Sequence, residues 1–247
     1  MQNADEQAFL KDYQAQKYAL PVVAADVVAW SYFDRALRVL LLKRDVDPFA
    51  GRFALPGTFL RIDDDETLEQ ACFRCLKEKA LFPAAPPVLQ MQNQGNIGRD
   101  PRDRVVSVSH LALVPAEDAA FVPVGKKTRE VQWFRWDALP GGLPDGLAFD
   151  HSLQLQNAFT YLQQHVDTLA FLLAPSPCTF AELREVHESV LGKRIDAANF
   201  KRRFLALEKK GQIRPVSSSI RGAPRYEVQV PLFDEAGAVP LFATASG

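Results

Sequence analysis

The residues best able to do chemistry are concentrated in one basic block. Residues 191–226 hold ten Lys or Arg against two acids, Asp196 and Glu208, a net of +8. The chain has 247 residues and a net charge of −1, so the remainder carries −9. A strongly positive block on an acidic body is what a polyanion binder presents. A merely solvated helix face is the plainer alternative. Inside the block, Asn199, Lys201, Arg202 and Arg203 fall in the first turns of a helix expected over residues 196–210. First-turn residues of a recognition helix reach base edges in the major groove. Arginine pairs bidentately with guanine and asparagine with adenine, while lysine more often meets phosphate. Lys193 and Arg194 precede the helix and suit phosphate. Arg221 and Arg225 flank a polar turn and suit the minor groove or the backbone. This pattern points to recognition of double-stranded DNA.

A second chemical segment covers residues 57–82. Leu68, Ala71, Cys72, Cys75 and Leu76 recur at helical spacing. Thr67 suits the N-cap, and the acids just before it suit the helix dipole. The stretch resembles a Nudix box: a Gly-rich turn, a glutamate, then a helix reading Arg-Glu-apolar-x-Glu-Glu. That motif holds Mg²⁺ on a substrate pyrophosphate with carboxylates three and four apart on one helix face. With Arg74 aligned to the box arginine, Cys75 replaces the first helix glutamate, the next two positions are Glu78 and Lys79, and Leu81 replaces the closing glycine. The turn is also two residues longer than the standard box, and Thr58 stands for its second glycine. A lone Glu78 beside a lysine assembles no metal cluster. The expectation is a retained fold with no metal site, no catalytic residue and no hydrolase activity. Cys72-x-x-Cys75 lies inside this helix with no second pair, and three cysteines in all argue against a secreted disulfide fold.

These residues need elements to position them. Apolar runs at 22–28 and 37–42 read as a hairpin, and 53–57 as a short strand ending in a tight turn. Runs at 105–113 and 131–136 read as further strands around the single helix at 67–79. A long helix over 149–165 then joins this part to the next. Helices follow at 169–173, 179–191 and 196–210, with a capping box at Thr179 to Glu182 and Gly192 and Gly211 as terminators. Strands at 213–216 and 226–230 flank the polar loop, giving three helices, a strand, a wing and a strand. The fold class expected is α+β, with an effector domain over 1–150, a linker helix over 151–166, a DNA-binding domain over 167–231 and a frayed tail over 232–247.

Six motifs occur in order along the chain. They are Asp47-Pro-Phe-x-Gly51-x-Phe-Ala-Leu-Pro-Gly57, Arg99-Asp-Pro-Arg102-x-Arg-Val-Val-Ser107, Leu147-Ala-Phe-Asp-His151, Phe180-x-Glu-Leu183, His187-Glu-x-x-Leu-Gly192-Lys and Asn199-Phe-Lys-Arg-Arg203. With the degenerate box, they resemble the NrtR group, Nudix-related transcriptional regulators of NAD metabolism, over residues 22–230. The resemblance implies a Nudix α/β/α sandwich followed by a winged helix-turn-helix. It also implies a homodimeric repressor on a palindromic operator near genes of NAD biosynthesis or salvage. It further implies that no cofactor is required and that the effector is ADP-ribose or another NAD-derived nucleotide. A diphosphate calls for arginines, and Arg99, Arg102 and Arg104 form the densest cluster in the first domain. A surface network with Asp100 and Asp103 is the alternative for them. Arg52 and Arg61 flank the Nudix turn, Phe53 suits stacking on a base, Glu78 suits a metal-free ligand contact, and His151 stands at the domain junction. The sequence departs from the group's pattern at Thr58, at Asp103 and in the wing at 221–226.

Three other readings stay open: a sugar-responsive member of the same group, an active Nudix pyrophosphatase with a DNA-binding appendage, and a winged helix that docks protein. Membrane and secretory roles are not expected. The longest apolar run, near residues 20–30, is interrupted by Asp26 and too short to span a bilayer, and the N-terminus has no basic segment leading into an apolar one. A cytoplasmic location follows by elimination.

Overall fold

The computed structural model describes residues 9, 13, 20–64, 67–80, 82, 86–119, 131–139, 146–216, 223–231, 233–234 and 237–238. Its centre is a mixed seven-stranded sheet. Strand β1 (Val22–Phe33) forms a hairpin with β2 (Ala36–Lys43). Asp34 and Arg35 make the turn with φ of 48° and 56°, the left-handed pair that matches the twist of a two-residue hairpin. The short strands β3 (Phe53–Ala54) and β4 (Gly57–Phe59) pair with β2 and β1. Strand β5 (Val88–Gln94) pairs antiparallel with β6 (Val105–Leu113), and β6 runs parallel to β1 from Val22 opposite Val105 to Trp30 opposite Leu113. Strand β7 (Val131–Arg135) pairs with β2.

Both faces of the sheet are covered, which is why β1 is a nearly continuous apolar run rather than an alternating one. On one face Ala25, Val27, Ala29 and Leu40 pack on Ala71, Cys72 and Leu76 of helix α1 (Leu68–Ala80). Thr67 and Gln70 cap α1 reciprocally, each side chain bonding the other's backbone N–H. A short helix, α2 (Ala116–Ala119), follows β6. On the other face Val28, Trp30, Leu41 and Leu111 meet Leu155, Phe159 and Leu162 of α3 (His151–Gln164). This is the expected α/β/α layering.

The same core continues without a break into the second part of the chain. Leu169 and Leu173 of α4 (Val166–Leu173), Leu183 and Val186 of α5 (Phe180–Leu191), and Phe200, Phe204 and Leu207 of α6 (Ala197–Lys209) belong to it. Helix α5 starts on the capping box of Thr179 and Glu182 and stops at Gly192, φ 65°. The Asp196 side chain caps α6 by accepting from Asn199 N–H. Strands β8 (Ile213–Val216) and β9 (Arg225–Val228) complete a winged helix, and Cys178 bridges to Tyr226 beside them.

Three features differ from the sequence expectations. β5 has no counterpart there, because Gln90, Gln92 and Gln94 break its apolar pattern. The helix expected over 149–165 begins at His151, and α4 follows it after His165 alone. In the tail, β10 (Phe233–Asp234) and β11 (Gly237–Ala238) pair antiparallel. Arg221 lies outside the described residues. Among the described residues no helix is long and apolar enough to cross a membrane.

Candidate effector cleft and DNA interface

A cleft of about 270 Å³ opens at the end of the sheet where β1, β4 and the C-terminus of β2 meet the loops before β6 and α3. Asp26, Lys43, Arg44, Gly57, Phe59, Lys79, Arg99, Arg102, Phe149 and His151 line it. It is near the lower end of the size range for small-molecule sites.

Its floor is a buried polar network built around Asp26. A carboxylate in a buried strand needs partners to offset desolvation, and Asp26 has four. Ser107 Oγ donates at 2.5 Å, Gln154 Nε2 at 3.1 Å and Arg99 Nη2 at 3.3 Å, all to Oδ2. His151 Nε2 stands 3.5 Å from the same oxygen. Leu55 N–H donates to His151 Nδ1 at 2.9 Å, which leaves the ring proton on Nε2, facing Asp26. Burial alone would raise the Asp26 pKa. The adjacent His151, with hydrogen bonds from His151, Ser107 and Gln154, instead holds the carboxyl well below the usual carboxylate range. Arg99 grips Asp150 with two bonds of 2.8 and 2.7 Å. Burial pushes Asp150 up, but Arg99 and Gln154 bring it down on balance. Three residues at the start of α3, Asp150, His151 and Gln154, are thus tied to the cleft floor. The close packing also fixes Gly57: a Cβ there would lie 2.0 Å from Asp26 Oδ1.

The mouth of the cleft is aromatic and cationic. Phe49 and Phe149 both hold positive φ, 67° and 55°, a costly conformation for a bulky residue. Their rings meet edge to face at 4.9 Å. The Arg44 guanidinium lies over Phe149 at 4.8 Å, and that of Arg102 lies over Phe149 at 5.4 Å and over Phe59 at 5.1 Å. Asp100 holds the edge of Arg102 through Nε at 2.9 Å and Nη2 at 2.6 Å. Burial opposes, and the Arg102 bonds outweigh it, so the Asp100 carboxyl stays below its ordinary range.

Of the eight ligand residues named from sequence, Arg99, Arg102 and His151 line this cleft. Arg99 pairs with Asp26 and Asp150 rather than with Asp100 or Asp103. Arg52 lies over Phe49 at 5.6 Å, outside the lining. Phe53 packs on Phe134, ring centroids 4.8 Å apart. Arg61 and Glu78 pair with each other at 3.4 Å on the surface. Arg104 is exposed beyond the lining. Sequence reasoning missed Asp26, Arg44, Phe49, Phe59 and Phe149. The charge inside an apolar strand was the available signal for Asp26.

The described box residues do not suit Mg²⁺. Cys75 is fully buried, and burial pushes its thiol up to about 12. The Lys79 ammonium donates to the Gly57 carbonyl. Glu78 also lies 3.7 Å from Arg74, whose own bonds go to Thr58 and Phe59. Hard-oxygen coordination needs several converging carboxylates, and among the described residues no group of three potential ligands converges.

In the winged helix, Asn199, Lys201, Arg202 and Arg203 are exposed on the first turns of α6. Asn199 Oδ1 accepts from Arg202 Nη2 at 3.0 Å. Lys201 lies over Phe180 at 5.6 Å. Arg203 donates to Asp167 of α4 at 2.6 Å, and His187 Nε2 lies 3.3 Å from the other oxygen of Asp167, so this arginine braces α6. Arg194 pairs with Glu188 at 3.0 Å, and Lys193 is exposed beside it. Arg225 donates to Glu182 at 2.8 Å and to the Pro177 carbonyl, which ties the wing to the start of α5.

The hairpin connects the two sites. At its open end Asp26 and Lys43 line the cleft. At its tip Arg35 pairs with Glu185 of α5 at 2.9 Å, and Leu37 N–H donates to Ser189 Oγ at 3.1 Å.

Residues 22–157 match the NUDIX domain, and residues 170–228 match the NrtR DNA-binding winged helix domain. The chain is 32% identical over 204 residues to the ADPR responsive transcriptional repressor NtrR of Acinetobacter baylyi, covering 82% of this chain and 79% of that one. It is 33% identical over 146 residues to the ADP-ribose pyrophosphatase of Methanocaldococcus jannaschii, 58% of this chain and 77% of that one. The crystal structure of Shewanella oneidensis NrtR complexed with a 27mer DNA superposes with a TM-score of 0.69 at 31% identity, covering 84% of this chain and 93% of that one. The NUDIX domain of the same protein complexed with ADP ribose superposes at 0.52 with 30% identity, covering 64% and 98%.

Proposed function

Since the chain belongs to the NrtR family of Nudix-domain transcriptional regulators, we propose that it is a repressor whose operator affinity is set by ADP-ribose or a related NAD-derived nucleotide. One observation carries the reading: a single hairpin lines the cleft at one end and holds the winged helix at the other. A ligand that favours one setting of that hairpin changes DNA affinity through differential binding to two arrangements, which is what allosteric coupling requires. Helix α3, which joins the two parts of the chain, shares the task, because its first turn belongs to the cleft floor.

The DNA contacts divide by chemistry. Asn199 and Arg202 read base edges, Lys193 and Lys201 meet phosphate, and Arg203 and Arg225 hold the domain in shape. The protein works in the cytoplasm as a homodimer on a palindromic operator, near genes of NAD biosynthesis or salvage. The Nudix domain binds without hydrolysing, a reading supported by Cys75 and Lys79 at two box positions and by the absence, among the described residues, of three converging ligands. The test is titration against operator fragments, with and without ADP-ribose, beside an assay for AMP release with Mg²⁺. A shift in DNA affinity without AMP release is expected. Turnover at ordinary Nudix rates would restore the enzyme reading.

A further inference from the structure

We propose that the cleft selects its effector by a nucleobase that stacks on Phe149, so that sugar phosphates lacking a base are poor ligands. The inference rests on reading this cleft as the effector site.

The arginines around the cleft are committed along their edges. Arg99 gives Nε and Nη2 to Asp150 and Asp26. Arg102 gives Nε and Nη2 to Asp100. Arg44 gives Nε to the Pro48 carbonyl at 2.7 Å and Nη2 to the Val46 carbonyl at 3.2 Å. A guanidinium spent this way is a weak clamp for phosphate, since bidentate anion binding uses those same edge donors. What Arg44 and Arg102 offer the cleft is their flat faces. Those faces already form a chain of stacking contacts, Phe59 with Arg102, Arg102 with Phe149, and Phe149 with Arg44.

The members come from four separate stretches: the end of β2, strand β4, the loop before β6 and the turn before α3. Phe149 adopts its left-handed backbone in that turn, and Phe49, also left-handed, supports its ring edge-on. Such outliers persist where surrounding structure enforces them, and they are frequent at binding sites. A nucleobase presents the same flat face as a guanidinium and joins this stack at Phe149, beside guanidinium faces that their edge bonds hold in place. Base–aromatic stacking tolerates any base and is worth about 5- to 140-fold in affinity. Lys43 and Lys79, in the same lining, add positive charge to the cleft.

Calorimetric titration of the full-length protein tests this with ADP-ribose, AMP and ribose 5-phosphate as probes. The wild type is expected to bind ADP-ribose and AMP, and to bind ribose 5-phosphate at least about 10-fold more weakly. Phe149→Leu is expected to weaken AMP and ADP-ribose about 10-fold and leave ribose 5-phosphate unchanged. Phe149→Tyr keeps a ring and is expected to rescue binding. Phe59 is 41% exposed, so Phe59→Leu leaves the fold intact and carries the test if the Phe149 variant unfolds. Unchanged AMP affinity in the folded leucine variants, or ribose 5-phosphate binding as tightly as ADP-ribose, overturns the stacking proposal while the effector site stands. Absence of ADP-ribose binding by the wild type overturns the effector site itself.

Discussion

Arg35, at the tip of the β1–β2 hairpin, donates to Glu185 of the winged helix across 2.9 Å. The pair spans 150 residues of sequence, and the Arg35 side chain is 79% exposed. An exposed ion pair contributes under about 1 kcal/mol. The joint is therefore weak enough to shift, as a regulated contact must be, and Leu37 N–H on Ser189 Oγ fixes its register.

Removing the joint should uncouple the domains without harming either one. The double variant Arg35→Ala, Ser189→Ala is expected to bind ADP-ribose within about 2-fold of wild type, since neither residue lines the cleft. Its operator affinity should respond to ADP-ribose several-fold less. Parallel calorimetry and DNA titration measure both. A full response in the double variant would move the coupling to α3.

Gly57 is required by proximity to Asp26. Gly57→Ala places a methyl group 2.0 Å from Asp26 Oδ1 and 3.2 Å from its Cγ. Asp26 is held by Ser107, Gln154 and Arg99 and cannot swing away. A loss of about 1–3 kcal/mol is expected from such overpacking, read as a lower denaturation midpoint.

The partnered carboxylates set an acid limit. Asp26, Asp150, Asp100 and Asp167 all titrate below their ordinary value in the folded protein, each because its hydrogen-bond and charge partners outweigh the burial that pushes it up. Depressed folded pKa values add stability that is fully present above the unfolded carboxylate range, near pH 4, and is lost as pH falls below it. Stability should therefore hold from neutrality to about pH 4 and drop steeply below. Asp26→Asn leaves Arg99 short of a buried partner and should cost about 3 kcal/mol near neutrality. That difference should shrink as acid protonates Asp26 in the wild type. Acid unfolding of both proteins, followed by circular dichroism, decides it.

The arginines of the winged helix should separate by role. Arg202→Ala should weaken operator binding by about 1–3 kcal/mol and relax specificity at one position, while leaving the unfolding temperature unchanged. Arg225→Ala removes the tie to Glu182 and Pro177 and should act first on stability. Affinity and melting curves for both variants check the division.

Much of the fold was legible in the residues. Strand β6 and the winged-helix elements follow from periodicity and from caps such as Thr179 with Glu182, because those signals are local. The glutamines of β5 hid an edge strand whose identity depends on β6 beside it. The cleft was only partly legible. Arg102 and His151 lie within recognisable motifs, but the stacking of Phe149 on arginines from distant segments is a consequence of tertiary folding. Asp26 read as an interruption in a strand, since the partners that make it a hub lie 73 to 128 residues away. Arg35 looked like an ordinary turn residue because its partner lies in the other domain.

The most direct test of the whole account is the affinity of the full-length protein for an operator fragment from its own upstream region, measured across salt concentrations with and without ADP-ribose. The account predicts tight, sequence-specific binding that weakens steeply with salt, as phosphate contacts require, and that changes at least several-fold when ADP-ribose is added. Specific binding that is indifferent to ADP-ribose and to every base-containing ligand would contradict it.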